Sequence, residues 1–261
     1  MTLAARLLAW YDVNRRELPW RGRTDPYEIW ISEVMLQQTR VETVLRYYER
    51  FLDRFPDVES LAAAEIEAVL ASWSGLGYYR RARQLHRAAQ EVVAGGAGLP
   101  TTVEGLSRLP GIGAYTAAAI ASIAHDAPVP VIDGNVERVL TRLEAISEDP
   151  RNASGRRRLS TVAKEALEVS RPGDFNQALM ELGATICTPR NPDCKSCPLG
   201  ELCRAHRIGD PEAFPALKPR AKPIREKRLA VVARQVGRLL LSRRPDDARL
   251  LAGVWELPWV K

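Results

Sequence analysis

With 261 residues, 46% hydrophobic and 27% charged, the chain has the make-up of a soluble globular protein holding one large domain, or a medium domain plus a fragment. No stretch approaches the ~20 apolar residues that a membrane span needs. A net charge of +6 leans toward a polyanionic partner, and the confinement of all four cysteines to Cys187–Cys203 excludes a secreted disulfide scaffold, which would spread them along the chain.

In chain order, Met1–Arg16 predicts an amphipathic helix through Leu3, Leu7, Leu8 and Tyr11. Its apolar stretch is short and no small-residue cleavage site follows, so it reads as a helix rather than an export signal, and a cytoplasmic protein is expected. Asp25-Pro26-Tyr27-Glu28 predicts a helix start: a capping aspartate, proline at the first helical position, and an acid three residues after the cap. The helix continues to Leu36, and Glu33 has Ile29 and Trp30 one turn before it and Leu36 one turn after. A carboxyl so placed loses hydration, so its pKa should rise and it could act as a general acid. The alternative is that Glu33 caps a neighbouring helix or pairs with an arginine.

Helical periodicity continues over Val41–Phe55, Ala62–Trp73, Arg80–Val93, Val103–Arg108, Tyr115–Ala124 and Val136–Ala145, with a short extended stretch at Val129–Ile132. Between two of these helices lies Leu109-Pro110-Gly111-Ile112-Gly113-Ala114-Tyr115-Thr116. Gly111 and Gly113 let backbone amides turn outward at a helix N-terminus, which suits a DNA phosphate held without sequence readout. A plain helix–helix turn is the other reading. Asp133, in Val131-Ile132-Asp133-Gly134-Asn135, predicts an N-cap. Amide bonds and the helix dipole would keep it ionised and able to face a cationic transition state. One neutral and one charged acid is the division of labour used in glycoside hydrolysis. His86, His125 and His206 show no ligand spacing, and Trp10, Trp30 and Trp73 read as core.

Cys187-x6-Cys194-x2-Cys197-x5-Cys203 puts four thiolates in 17 residues, enough to surround one [4Fe–4S] cluster. A tetrahedral zinc site is the alternative, although only Cys194 and Cys197 form a CxxC knuckle. Arg190, Lys195, Arg204 and Arg207 surround the array; they would either meet a phosphate backbone or form a solvated face. From Asp210 to Arg228, four prolines among basic residues predict a linker. Leu229–Arg234 and Arg238–Ser242 then predict two strands about a turn at Gly237. About 35 residues remain, too few for an independent core, so the expectation is a domain that is truncated here or docks on the first.

Taken together, these motifs resemble the A/G-specific adenine DNA glycosylase (MutY) family of the helix-hairpin-helix DNA glycosylase superfamily. Residues 5–207 carry the likeness: Leu18-Pro19-Trp20, WISEVMLQQT from Trp30 to Thr39, Gly75-Leu76-Gly77-Tyr78-Tyr79, the hairpin, VIDGNVERVL from Val131 to Leu140, DFNQALMELG from Asp174 to Gly183, and the cysteine array.

The resemblance implies an all-α, two-lobed domain over residues 1–207. A six-helix barrel would span about 22–131. A cluster lobe would combine the N-terminal helix with about 132–207, followed by a 208–227 linker and the start of a Nudix-related domain at 228–261. It implies adenine excision opposite 8-oxoguanine or guanine in double-stranded DNA, by a monomeric protein with no membrane role, near the nucleoid. Glu33 would protonate the adenine leaving group, at N7, and Asp133 would stabilise the oxocarbenium-like sugar, with Tyr115 and Asn135 supporting the two carboxylates. Arg16, Trp20, Leu36 and Gln177 match pocket positions around a flipped adenine. Gln38 and Tyr78 match side chains that enter the base stack, with Leu76 beside them, and Gly111 and Gly113 carry the phosphate contact. Cys187, Cys194, Cys197 and Cys203 would hold the [4Fe–4S] cluster. Flipping is needed because the glycosidic bond is inaccessible within a stacked duplex.

Endonuclease III-like relatives attack the sugar with a lysine two residues after the second hairpin glycine. Here that position is Tyr115, and no lysine precedes Lys164, so a hydrolytic, monofunctional route is expected. LAGVWELP, from Leu251 to Pro258, carries the weaker Nudix likeness; no acidic Nudix helix follows. Two rivals remain: a bifunctional glycosylase/lyase, which needs an amine near the hairpin, and an inactive DNA-binding module, which predicts that Glu33 or Asp133 is missing.

Overall fold

Helix α1 (Leu3–Asn14) starts where the Thr2 hydroxyl accepts the Ala5 N–H, and α2 (Pro26–Leu36) where the Asp25 carboxylate accepts that of Tyr27 at 2.7 Å. The computed structural model describes residues 1–217, 227–245, 247–248 and 253–260. They fall in two compact units, Met1–Leu217 and Lys218–Lys261.

The first unit is helical, as the periodicity predicts, with two corrections. In place of one helix over Val41–Phe55 there are α3 (Val41–Val44) and α4 (Tyr48–Arg54). The amides of Arg46 and Tyr47 bond three residues back, to Thr43 and Val44, and this tightened turn redirects the chain while Val44, Tyr48, Phe51 and Phe55 all stay buried. In place of one helix over Ala62–Trp73 there are α5 (Val58–Ala63) and α6 (Ile66–Ser72), broken where Ala64 turns extended. The Ala64 carbonyl is taken instead by buried His86 Nε2 at 2.9 Å, which gives that histidine a structural role. Next come α7 (Arg80–Gly95), closed by Gly96 in the left-handed region, α8 (Val103–Leu106) and α9 (Ala114–His125). They are followed by α10 (Gly134–Glu144), α11 (Ala153–Ala166), α12 (Pro172–Thr185) and α13 (Arg204–Ile208).

Two large apolar cores and a small third cluster around Ala118, Ala119 and Val131 result. Helices α2–α9 enclose one around Trp30, Trp73, Tyr48 and Phe51. The other brings α1 back against α10, α11 and α12 around Leu7, Tyr11, Leu140 and Phe175, with Trp10 half-buried at its edge. Helix α12 packs against α9 as well as α1 and α10, and so joins the cores. The approach is close enough that a Cβ on Gly173 would lie 2.6 Å from the Ser122 carbonyl oxygen.

The first residues of the expected linker do not leave this unit. Residues 211–213 form a 3₁₀ turn; Glu212 accepts the Asn191 N–H at 2.8 Å, and the Phe214 carbonyl accepts from Arg142 Nε at 3.1 Å. Residues 218–226 of that linker lie outside the described residues. In the second unit the expected Leu229–Arg234 strand is divided. Leu229–Ala230 (β1) pairs with Trp259–Val260 (β6), while Arg234–Gln235 (β2) pairs with Arg238–Leu239 (β3) about Val236-Gly237, both at positive φ. Ser242–Arg243 (β4) pairs with Trp255–Glu256 (β5). All six are two-residue strands. Leu251 and Ala252 of LAGVWELP lie outside the described residues.

Candidate active site

Between the two cores of the first unit opens a cleft of about 690 Å³. Helix α2 contributes Glu33, α9 contributes Tyr115, the start of α10 contributes Asp133 and Asn135, and α12 contributes Gln177. Arg16, Trp20 and Leu36 complete the set expected around a substrate, and Gln38, Gly111 and Gly113 line the same cleft. Residues scattered over 160 positions of sequence are thus brought together. Leu76 and Tyr78 are not among the lining residues: Leu76 is buried in the first core and Tyr78 stands 60% exposed outside the cleft.

Glu33 is buried among apolar α2 neighbours and accepts the Tyr115 phenol at 2.7 Å on Oε2. Burial pushes its carboxyl above the usual range, reinforced by the Asp133 charge; the Tyr115 bond and Arg21 pull the other way and lose. The Tyr115 phenol is raised well above its ordinary value by burial and by Glu33, so it stays a donor. Its hydroxyl also lies 3.5 Å from Met180 Sδ.

Asp133 is the N-cap of α10. Oδ1 accepts the Val136 N–H at 2.7 Å and Oδ2 the Asn135 amide at 2.9 Å. Burial raises its carboxyl too, so desolvation outweighs the cap, but amide donors and the Arg138 charge all favour the charged form. Asn135 is held from behind: Arg138 donates to its Oδ1 at 2.9 Å, to the Gly183 carbonyl at 2.6 Å and to the Cys187 carbonyl at 2.8 Å. Gly183 lets α12 pass this close, since a Cβ there would meet the Asn135 Cβ at 2.6 Å.

An ion-pair cluster that no local pattern announces closes the far wall. Glu181, fully buried on α12, accepts from Arg16 Nε at 2.5 Å and from Arg21 Nη2 at 2.9 Å. Burial raises its carboxyl, but the two arginines together hold it below the usual range. Arg21 Nη1 donates to Gln177 Oε1 at 2.5 Å. Arginine has no acceptor, so this bond fixes which end of the Gln177 amide faces it. Removing Glu181 would leave Arg21 largely buried without its counter-charge, which costs on the order of 3 kcal/mol. The only sequence signal was the one-turn spacing of Gln177 and Glu181 on α12. Trp20 is buried edge-on against Tyr48, centroids 5.4 Å apart.

The hairpin joins α8 to α9. Gly111 has φ +77, and a Cβ on it would strike the Gln84 side chain at 2.8 Å. Gly113 caps α9 and has no side chain to occupy the first-turn N–H groups.

The four cysteines line one small cavity together with Arg142 and Gly200, whose Cβ would sit 2.8 Å from the Cys194 carbonyl oxygen. Burial pushes the Cys197 thiol up to about 12 and raises Cys194 and Cys203. Arg142, buried one turn after Arg138, donates to Cys187 Sγ at 3.3 Å and to the Thr188 and Pro189 carbonyls. The basic residues expected around the array, Arg190, Lys195, Arg204 and Arg207, are exposed, and Arg204 pairs with Glu144. His206, also exposed, lies at the cavity edge, while His125 is exposed on α9. No three His, Cys, Asp or Glu side chains among the described residues converge as one single-ion site.

Comparison with known proteins gives the family. The family model of the HhH-GPD superfamily base excision DNA repair proteins matches residues 31–165. The chain is 43% identical to an adenine DNA glycosylase of Arabidopsis thaliana over 97% of its own length and 46% of that protein's. It is 34% identical to an adenine DNA glycosylase of Schizosaccharomyces pombe, over 98% of this chain and 68% of the other. It spans 46% to 60% of the length of the plant and mammalian relatives it matches. The solved structure of a thermostable thymine-DNA glycosylase superposes with a TM-score of 0.72 at 28% identity, covering 78% of this chain and 95% of that one.

Proposed function

Because the chain belongs to the adenine DNA glycosylases of the HhH-GPD superfamily, we propose that it hydrolyses the N-glycosidic bond of adenine mispaired with 8-oxoguanine or guanine. The observation that carries this reading is the Tyr115 phenol bonded at 2.7 Å to buried Glu33, with capped Asp133 lining the same cleft.

Glu33, kept protonated by its loss of hydration, gives its proton to N7 of the flipped base. The C1′–N9 bond breaks with its electron pair leaving on adenine, and the sugar becomes oxocarbenium-like. The Asp133 carboxylate faces that charge, held by the Val136 N–H and the Asn135 amide and so already oriented. Water adds at C1′ and its proton returns to a carboxylate. Trp20 and Leu36 supply the apolar walls, and Arg16 and Gln177 the polar edge. The hairpin amides hold a phosphate, while Gln38 and Tyr78 enter the stack.

The monofunctional route is supported by Tyr115 standing where a lyase would carry its lysine, and no lysine lines the cleft among the described residues. Cys187, Cys194, Cys197 and Cys203 would hold a [4Fe–4S] cluster. Four thiols line one cavity, and the bare Gly200 leaves room beside them; a thiolate set of this kind suits such a cluster, and only Cys194 and Cys197 form the CxxC knuckle typical of zinc. When bound, such a cluster cross-links the loop between α12 and α13. The preference for 8-oxoguanine, a Nudix-related role for residues 228–261, and a cytoplasmic, nucleoid-associated setting rest on the family resemblance.

Single-turnover excision on a duplex with adenine opposite 8-oxoguanine tests this. Strand breaks only after alkali are expected. Breaks without alkali would mean a lyase; no breaks, with binding intact, would mean a binding module.

A further inference from the structure

Arg81 is the second residue of α7, where the helix dipole disfavours a cation. It does not point away from the protein. Nη1 donates to the Val34, Met35 and Gln37 carbonyls at 2.8, 2.8 and 2.6 Å. Nη2 donates to Thr39 Oγ1 at 3.0 Å and to the Leu76 and Gly77 carbonyls at 3.3 and 3.2 Å. The guanidinium also lies 5.3 Å from the Trp73 ring centroid and 5.5 Å from that of Tyr78.

One planar group therefore gathers three things: the last turn of α2, immediately after Glu33; the turn carrying Gln38; and the turn carrying Tyr78. The two turns share a feature. Gln38 has φ +57 and Tyr78 φ +49, a region that residues other than glycine seldom adopt, and both side chains are exposed while their backbones are tied down. Val34, Met35, Trp73 and Leu76 beneath it are each buried in the first core, so their side chains have apolar partners besides this cation.

We propose that Arg81 is a positioning residue that clamps both turns to the end of Glu33's helix, so that entry of Gln38 and Tyr78 into the duplex and presentation of Glu33 to the extruded base occur as one event. This rests on the glycosylase reading above. Spanning so many acceptors needs the planar fork of a guanidinium; an ammonium is a point donor and reaches only some of them.

The test uses Arg81→Met and Arg81→Lys in the full chain. The duplex carries adenine opposite 8-oxoguanine, with 2-aminopurine beside the mispair to report unstacking. The clamp predicts parent-like melting and parent-like binding to a fully matched duplex. The 2-aminopurine fluorescence rise and the single-turnover rate should fall together, by about 100-fold in rate for Arg81→Met, with Arg81→Lys between it and the parent. A parent-like fluorescence rise and rate in Arg81→Met would overturn the proposal, as would full rescue by Arg81→Lys, which would reduce the role to charge. Should Arg81→Met melt early, Arg81→Lys decides alone: a weakened rise at parent-like melting supports the clamp and an undiminished one overturns it. A parent that unstacks the duplex but excises nothing would sink the glycosylase reading while leaving the clamp to be judged on fluorescence.

Discussion

The two walls of the cleft each present a carboxyl, Glu33 buried and Asp133 half-buried, and loss of hydration raises both above the ordinary range. They differ in what touches the oxygens. On the α2 wall Glu33 lines the cleft with Ile29 and Leu36 and accepts a single phenol. On the α10 wall Asp133 accepts a helix-start amide and a carboxamide that Arg138 holds in turn. Burial depth alone thus does not assign an acid its role. The donors around it do, because each one favours the charged form. The α2 wall is suited to deliver a proton and the α10 wall to face a cation.

Neutralising each wall breaks this comparison with the largest effect. Glu33→Gln removes the proton donor and should lower single-turnover excision by roughly 1000-fold or more. Asp133→Asn keeps a cap but removes the facing charge and should cost on the order of 100-fold. Duplex binding, measured by gel shift, should survive in both. An Asp133→Asn enzyme of near-parent rate would show that the second wall is only a helix cap.

How legible these walls were differs in the same way. Asp25-Pro26 and Asp133 announce helix starts, and the apolar spacing around Glu33 announces its burial, because caps and periodicity are local. The hairpin glycines and the cysteine array are local too. Arg16, Arg21 and Glu181 meet across at least 160 residues of sequence, and Arg142 reaches Cys187 from 45 away. In a chain rich in arginine nothing local marks which ones turn inward; Arg190 and Arg207, nearer the cysteines in sequence, are exposed. The break at Ala64 is nonlocal in the same way: alanine is a helix former, yet Ala64 is extended and its carbonyl is taken by His86 on α7.

A smaller change sharpens the contrast through pH. Glu33 must be protonated to act, so excision should fall as pH rises through its elevated pKa. Asp133 must be ionised, so excision should also fall as pH drops through that of Asp133. Tyr115→Phe removes the one donor that favours ionised Glu33. Its pKa should therefore rise further, and the alkaline limb of the pH–rate profile should move to higher pH. The rate at the optimum should drop about tenfold through lost orientation. An alkaline limb that stays put, or shifts to lower pH, would mean that another group governs it.

The smallest effect lies in stability. In the unfolded chain Glu33 titrates near the usual ~4.3, and in the folded protein burial lifts it. A raised carboxyl pKa makes a contribution that is fully present below the unfolded value and is lost as pH rises through the folded one, because the fold must then hold an ionised group it solvates poorly. Glu33→Gln escapes that loss, since its amide is neutral throughout and can still accept the Tyr115 hydroxyl. Its melting temperature should match the parent's at about pH 4 and below, and exceed it by a few degrees, roughly, at alkaline pH. Asp133→Asn should show a smaller widening, because the Val136 and Asn135 donors and the Arg138 charge already compensate the ionised form. Parallel melting curves for parent and Glu33→Gln across that range would mean that Glu33 is solvated as an anion, and the distinction between the two walls would have to be drawn elsewhere.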